Sequence, residues 1–275
     1  MRIAVVGHVE WVEFAAVEHV PSAGEIVHAS DSWTEAAGGG AVAAVQIARL
    51  TGSASFFTAL AADPHGEAAE AQLTRQGVRV HAAKREPPHR RAVTFLDAQG
   101  ERTITVIGPR IVPLASDPLP WDQLAAMDGV YFTGGDAGAL RAARGARVLV
   151  ATPRARESLA RAGVELDALV HSAGDIHERY RHGDFEPAPR LVVTTEGPAG
   201  GSFVASDGRS GRWAAAPLPG SRGDSYGCGD SFAAGLTCGL AAGQSVDEAL
   251  ALAARCGAAC LSGRGPYAGR LPVLT

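Results

Sequence analysis

From residue 129 onward, short apolar runs alternate with stretches of helical period, and this alternation constrains the fold more than any other feature. "GVYFTGG" (129–135) leads to a helix expected over 137–144. A strand at 146–151, a helix at 155–163 and strands at 167–171 and 190–197 follow, and a last helix is expected over 246–261. Strands joined through helices run parallel, and those helices cover the sheet they cross. The N-terminal half begins in the same way. "RIAVVG" reads as a buried strand, "GGGAVAAVQIARLTG" (38–52) as a glycine turn entering a helix, "SASFFTAL" (53–60) as a strand and 65–77 as an amphipathic helix closed by glycine. Two segments break the pattern. Alternating residues around 11–18 and 25–34 flank the turn "PSAG", and "RRAVTFLDAQGERTITVIG" (90–108) carries two alternating strands around "DAQG". They are expected to form a small separate sheet over one end of the main one.

Length and composition exclude several classes. A chain of 275 residues can bury the core of one large α/β domain, and no repeat, low-complexity stretch or linker divides it. We therefore expect one domain over 1–275, with lid segments near 9–36 and 89–108. A net charge of −4 gives no reason to expect nucleic acid or an acidic membrane as partner. Lys84 is the only lysine, and it stands in no GxxxxGK[ST] pattern, so a P-loop is excluded. No apolar stretch is long enough to span a bilayer, and the first apolar run is too short for a signal sequence, so the cytoplasm is the expected location. Cys228, Cys238, Cys256 and Cys260 lack the companion ligands of a metal site and read as small buried residues.

The chemistry concentrates in "GDSYGCGDSFAAGLTCGL" (223–240). Phe232, Leu236 and Leu240 recur at helical spacing, so Gly227, Cys228 and Gly229 mark a helix start. There, unpaired backbone N–H groups and the positive dipole end suit an anion, and glycine lets it come close. A capped tight turn would read the same way in isolation. "GGGAVA" (38–43) also fits a dinucleotide fingerprint, but some thirty residues separate it from the first strand, which leaves a Rossmann oxidoreductase as a third-rank reading.

"DSYGCGD" (224–230) resembles the D-T-x-G-A-G-D signature of the ribokinase-like, or PfkB, carbohydrate kinases. "GGGAVAAVQIARL", "DPHGEAAEAQLTRQGV", the strands at 90–107 and "VVTTEGPAGG" are similar to family segments in the same order, so the resemblance spans the whole chain. It implies a ribokinase-like three-layer sandwich with a central mostly parallel sheet and a small β lid. It also implies transfer of the γ-phosphoryl group of ATP to a hydroxymethyl group of a sugar or nucleoside-like molecule, with Mg²⁺.

By the same resemblance Asp230 is the general base and contacts the acceptor, and the amides of Gly227, Cys228 and Gly229 form the anion hole. Thr195, Gly197, Gly200, Asp224 and Ala259 lie at the nucleotide. Gly38, Gly39 and Gly40, with Glu10, lie at the acceptor, and Asp175 meets Mg²⁺ through water, with Glu178 as a second candidate. His171 and His177 beside these carboxylates would make a zinc site only with ligand spacing that the sequence lacks. Family lids pair between subunits, so a homodimer through the lid is an expectation. Two positions depart from the pattern: an asparagine expected in the first helix reads Val42, and an aspartate expected after the first strand reads Val12. These losses argue against ribose held in the ribokinase manner and leave Glu10, Glu13, Arg91 or Asp136 as other acceptor partners. They also keep open a second reading, a catalytically weak or non-catalytic ligand-binding relative.

Overall fold

The computed structural model describes residues 1–269 and 271. Its main sheet has nine strands: β1 (Ile3–Val6), β4 (Ala54–Ala61), β5 (Val78–Arg85), β8 (Gly129–Phe132), β9 (Val148–Ala151), β10 (Ala168–Ser172), β11 (Leu191–Thr195), β12 (Gly201–Ala205) and β13 (Ser210–Trp213). The order is β13-β12-β11-β10-β9-β8-β1-β4-β5. All neighbours pair in parallel except β11–β12 and β12–β13, which form an antiparallel edge.

β1 shows why the sheet needs cover on both faces. Ile3 and Val5 join a core with the helices α1 (Gly39–Thr51), α5 (Cys228–Ala241) and α6 (Val246–Leu261). Ala4 and Val6 point the other way, into a core with α3 (Ala137–Ala143) and α4 (Arg156–Ala162). Alternation with period two divides one apolar run between two layers, which makes the three-layer sandwich.

The second sheet has the order β3-β2-β6-β7, with β2 at Glu10–Ala16, β3 at Asp31–Ala37, β6 at Arg91–Leu96 and β7 at Arg102–Ile107. The pair at 90–108 falls where its alternation predicts. β3 does not: it starts six residues later than the expected segment at 25–34, because its register is set by pairing with β2, from Glu10↔Ala37 to Ala16↔Asp31. β5 and β13 are additions to the sequence reading. β5 is an edge strand with only Val78 and Ala83 buried, so it lacks the apolar run of a central strand. Among the described residues no helix is long and apolar enough to cross a membrane.

Candidate active site

The parallel strands deliver their carboxyl ends to one rim. His8 follows β1, Thr133 follows β8, Thr152 and Arg154 follow β9, and Ser172 and Thr195 end β10 and β11. The chain order reverses at β1, which lies between β8 and β4, so the crevice at β1/β8 is where an open α/β sheet binds its ligands.

α5 begins at this rim. Gly227 is its N-cap, with φ 78°, and no side chain caps the helix; the first intrahelical bond runs from Ser231 N to Gly227 O. The amides just before it therefore have no helical partner. A Cβ at Gly227 would stand 2.9 Å from Val42 Cγ1, in a backbone region that already favours glycine. At Gly229 a Cβ would meet nothing within 4 Å, so this backbone borders open space. Tyr226 holds the loop from below: its hydroxyl accepts from Gly38 N (3.3 Å) and its ring meets Phe14 of β2 edge-on at 4.9 Å.

Asp230, in the first turn of α5, faces the N-terminal turn of α1: a Cβ at Gly39 would stand 2.7 Å from its Oδ1 and 3.2 Å from Thr133 Oγ1. Burial pushes its carboxyl up to about 6; Arg154 and Arg102 pull it down, and Glu178 and Glu10 push it further up. A carboxylate so poised is charged at neutral pH yet ready to take a proton.

A cleft of about 670 Å³ opens beside it. Gly227, Cys228, Gly229, Asp230, Thr195, Gly197 and Asp175 all line it, so these residues singled out in the sequence meet in one place. Part of its lining is apolar: Trp213 stacks on Phe232 at 4.9 Å, and Ala254, Gly257 and Ala258 of α6 line the cleft with them.

Other expectations need correction. Ala259 is 1% exposed and belongs to the core; its neighbours Gly257 and Ala258 face the cleft. Asp224 is buried behind the loop, where it accepts from Tyr226 N (3.0 Å) and Gly265 N (2.6 Å), so it shapes the turn rather than meeting a nucleotide. Gly200 is required by packing: a Cβ there would lie 2.1 Å from Trp213 O. Gly40 likewise packs on the His8 backbone, at 2.7 Å, leaving Gly38 and Gly39 at the site. Val12 and Val42 are both core residues. Asp136 caps α3 through Ala139 N, and Glu13 is exposed.

Arg154 is one of the residues the sequence reading missed. Its guanidinium donates to Asp175 Oδ2 (2.5 Å) and to Glu178 Oε1 (2.6 Å). The other oxygens of these carboxylates accept from His177 N (2.8 Å) and Ser172 N (2.9 Å). Asp175 therefore lies in the cleft, but as a partner of Arg154. Among the described residues no group of three or more His, Cys, Asp or Glu side chains is gathered closely enough to hold a metal ion, which also removes the zinc alternative at His171 and His177. Its position just past the end of β9 is the signal that would have found Arg154.

On the other side of Asp230, Glu10 lies under Gly38, whose Cβ would stand 3.2 Å from its Cγ. Burial alone would raise this carboxyl. The His8 ring at 3.5 Å and Arg90 Nε at 2.6 Å outweigh it and hold the group at about 2. Burial depresses His8 itself, so its ring is neutral near pH 7. His8 Nδ1 has no partner, and Thr133 Oγ1, beside the Tyr131 phenol, makes no hydrogen bond of good geometry.

A sheet of this order with a ligand crevice at its reversal point and a glycine-flanked helix start beside a raised carboxyl defines a ribokinase-like α/β sandwich. The model of the pfkB family of carbohydrate kinases matches residues 1–161 and 163–273, and the chain belongs to that family. A fructokinase of Salmonella typhimurium is 27% identical over 276 residues, covering 82% of this chain and 86% of that protein. The ribokinase of Cryptococcus neoformans var. grubii, solved with ADP, is 23% identical, covers 99% of this chain and 97% of its own, and superimposes with a TM-score of 0.75. That of Arabidopsis thaliana, solved with ribose and ATP, is 21% identical over 96% of this chain and 93% of its own, with a TM-score of 0.74.

Proposed function

We propose that this protein transfers the γ-phosphoryl group of ATP to a hydroxymethyl group of a small sugar or nucleoside-like acceptor, with Asp230 as base. One observation carries the reading: Asp230, its carboxyl raised to about 6, stands against Gly39 at the mouth of the uncapped helix α5. Asp230 takes the acceptor's hydroxyl proton, that oxygen bonds to the γ-phosphorus, and the bond to the β-phosphate oxygen breaks as ADP departs. The amides of Gly227, Cys228 and Gly229 receive the charge on the transferring group; one such donor is worth roughly 10²–10³ in rate. The apolar wall of Trp213, Ala254, Gly257 and Ala258 suits the adenine, and Thr195 and Gly197 border the nucleotide.

Mg²⁺ bound with ATP would supply neutralisation of phosphate charge, held through few carboxylates and several waters. Asp175 and Glu178 would meet its hydration shell, with Arg154 orienting both. The sheet of β2, β3, β6 and β7 serves as a lid that excludes water from the acceptor. Ile104, Val106 and Ile107, exposed on its outer strand β7, support a homodimer through that lid. The non-catalytic alternative is disfavoured because the base and the glycines beside it are intact.

The test is ADP release across a panel of sugars and nucleosides for the wild type and Asp230→Asn. A base of this kind contributes on the order of 10²–10⁴ in rate, so the substitution should abolish most turnover while the KM for ATP stays within a few-fold. It should also stabilise the protein at neutral pH. Because the folded pKa is raised, ionised Asp230 costs stability above pH about 6, and that cost fades as the pH falls towards the unfolded value. Undiminished turnover in Asp230→Asn would overturn the reading.

A further inference from the structure

Among the described residues, three arginines line the cleft beside Asp230, and two of them are already neutralised. Arg154 is held by Asp175 (2.5 Å) and Glu178 (2.6 Å), and Arg222 pairs with Glu101 at 2.5 Å. The third, Arg102, has no carboxylate partner among the described residues. Its two hydrogen bonds go to neutral acceptors, Ser225 O (2.9 Å) and Ser225 Oγ (3.0 Å), and both leave from Nη1. Nε and Nη2, one whole edge of the guanidinium, are therefore unpartnered, and that edge is spaced to hold two oxygens of one phosphate. Lys84, the only lysine, does not take this part: it pairs with Glu70 at 2.6 Å on the edge strand β5 and lies outside the cleft lining.

Arg102 is also fixed where two parts of the molecule meet. It is the first residue of β7, in the small sheet, whereas Ser225 belongs to the loop that leads into Gly227 and α5. The backbone repeats the contact: Ser225 N donates to Gly100 O at 3.1 Å, and a Cβ at Gly100 would strike Gly223 O. These bonds hold the start of β7 against the loop, so the guanidinium is in place before any ligand arrives. An arginine anchored in this way loses less side-chain entropy when its free edge is taken up.

Resting on the kinase reading above, we propose that Arg102 contacts the terminal phosphate of ATP through its Nε and Nη2 donors and is a further catalytic residue. A triphosphate brings several negative charges into a cleft whose other arginines are occupied by carboxylates. The amides of Gly227, Cys228 and Gly229 supply only dipoles, and Arg102 adds a full positive charge beside the oxygens of the group being transferred. It is carried by the sheet proposed to cover the acceptor and it meets the loop that supplies the amides, so it stands where the two ligands would adjoin.

The experiment compares the wild type with Arg102→Gln and Arg102→Lys. It measures the dissociation constants of ADP and of β,γ-imido-ATP, each with Mg²⁺, from the melting shift each causes. Separately it reads kcat by ADP release with any sugar or nucleoside that is used. A charge-assisted hydrogen bond is worth roughly 10–100-fold, so Arg102→Gln should weaken β,γ-imido-ATP by this factor and lower kcat at least as far. ADP lacks the terminal phosphate, so its dissociation constant should stay within about threefold. Arg102→Lys should recover part of the loss, because it keeps the charge without the fork. Equal weakening of both nucleotides would mean that Arg102 only holds the loop, and unchanged binding of both that it meets no phosphate. Either result overturns the inference and leaves the kinase reading standing. If no acceptor supports ADP release the kinase reading falls, and the ratio of the two dissociation constants still decides the inference. A wild type stabilised by neither nucleotide overturns both.

Discussion

The two sides of Asp230 are built in different ways. On the side proposed for the nucleotide, one contiguous turn supplies the polar groups: Gly227 takes its left-handed conformation, Gly229 borders open space, and the amides between them start α5. On the side proposed for the acceptor, the polar groups come from the ends of β1 and β8, from β2 and from the residue before β6. His8, Glu10, Thr133 and Arg90 meet only when the sheet forms. Backbone donors recognise what every phosphate shares, whereas side chains on separate strands are free to change with the acceptor. On the proposed function, the nucleotide side would carry the common chemistry of the pfkB family and the acceptor side what is particular to this chain.

Substitutions that act on one side only would sharpen this contrast, and mixed effects would break it. The largest effect is expected at Gly229. Alanine is tolerated by the helix and meets no neighbour within 4 Å, so its methyl projects into the space assigned to phosphate. Gly229→Ala should lower kcat/KM for ATP by on the order of 10²-fold, with the melting temperature unchanged or slightly higher. A large loss of stability, or normal kinetics, would show that this turn is only structural.

A smaller effect is expected across the site. Thr133→Val keeps the shape of a fully buried side chain and removes a hydroxyl that lacks a good partner. The KM for the acceptor should rise roughly 5- to 20-fold while the KM for ATP is unaffected. An equal change in both constants would merge the two sides into one.

The same division explains what could be read from the sequence. Asp230 and its flanking glycines were legible as a helix start because that turn depends on neighbours a few residues away. The parallel sheet was legible because apolar runs such as "IAVV" and "VLVA" are buried whole. Arg154 and His8 were not, since an arginine or histidine past the end of a strand is ordinary until the rim assembles. Ala259 was misassigned by one helical step: Ala258 faces the cleft and Ala259 the core, a distinction that depends on the rotation of α6 against α5. Asp224 was misassigned for the opposite reason. Its place in the signature suggested a ligand, whereas its carboxylate closes the loop on Tyr226 and Gly265. The polar edge strand β5 lacks the buried run that marks the strands beside it.

The most direct test of the central claim, that Asp230 is the base, is the pH dependence of kcat/KM, which reports groups of the free enzyme. With the carboxyl at about 6, the profile should fall about tenfold per pH unit below that midpoint and level off above it. A profile flat from about pH 5 to 8, with chemistry limiting, would mean that no group in this range accepts the proton and would contradict the account.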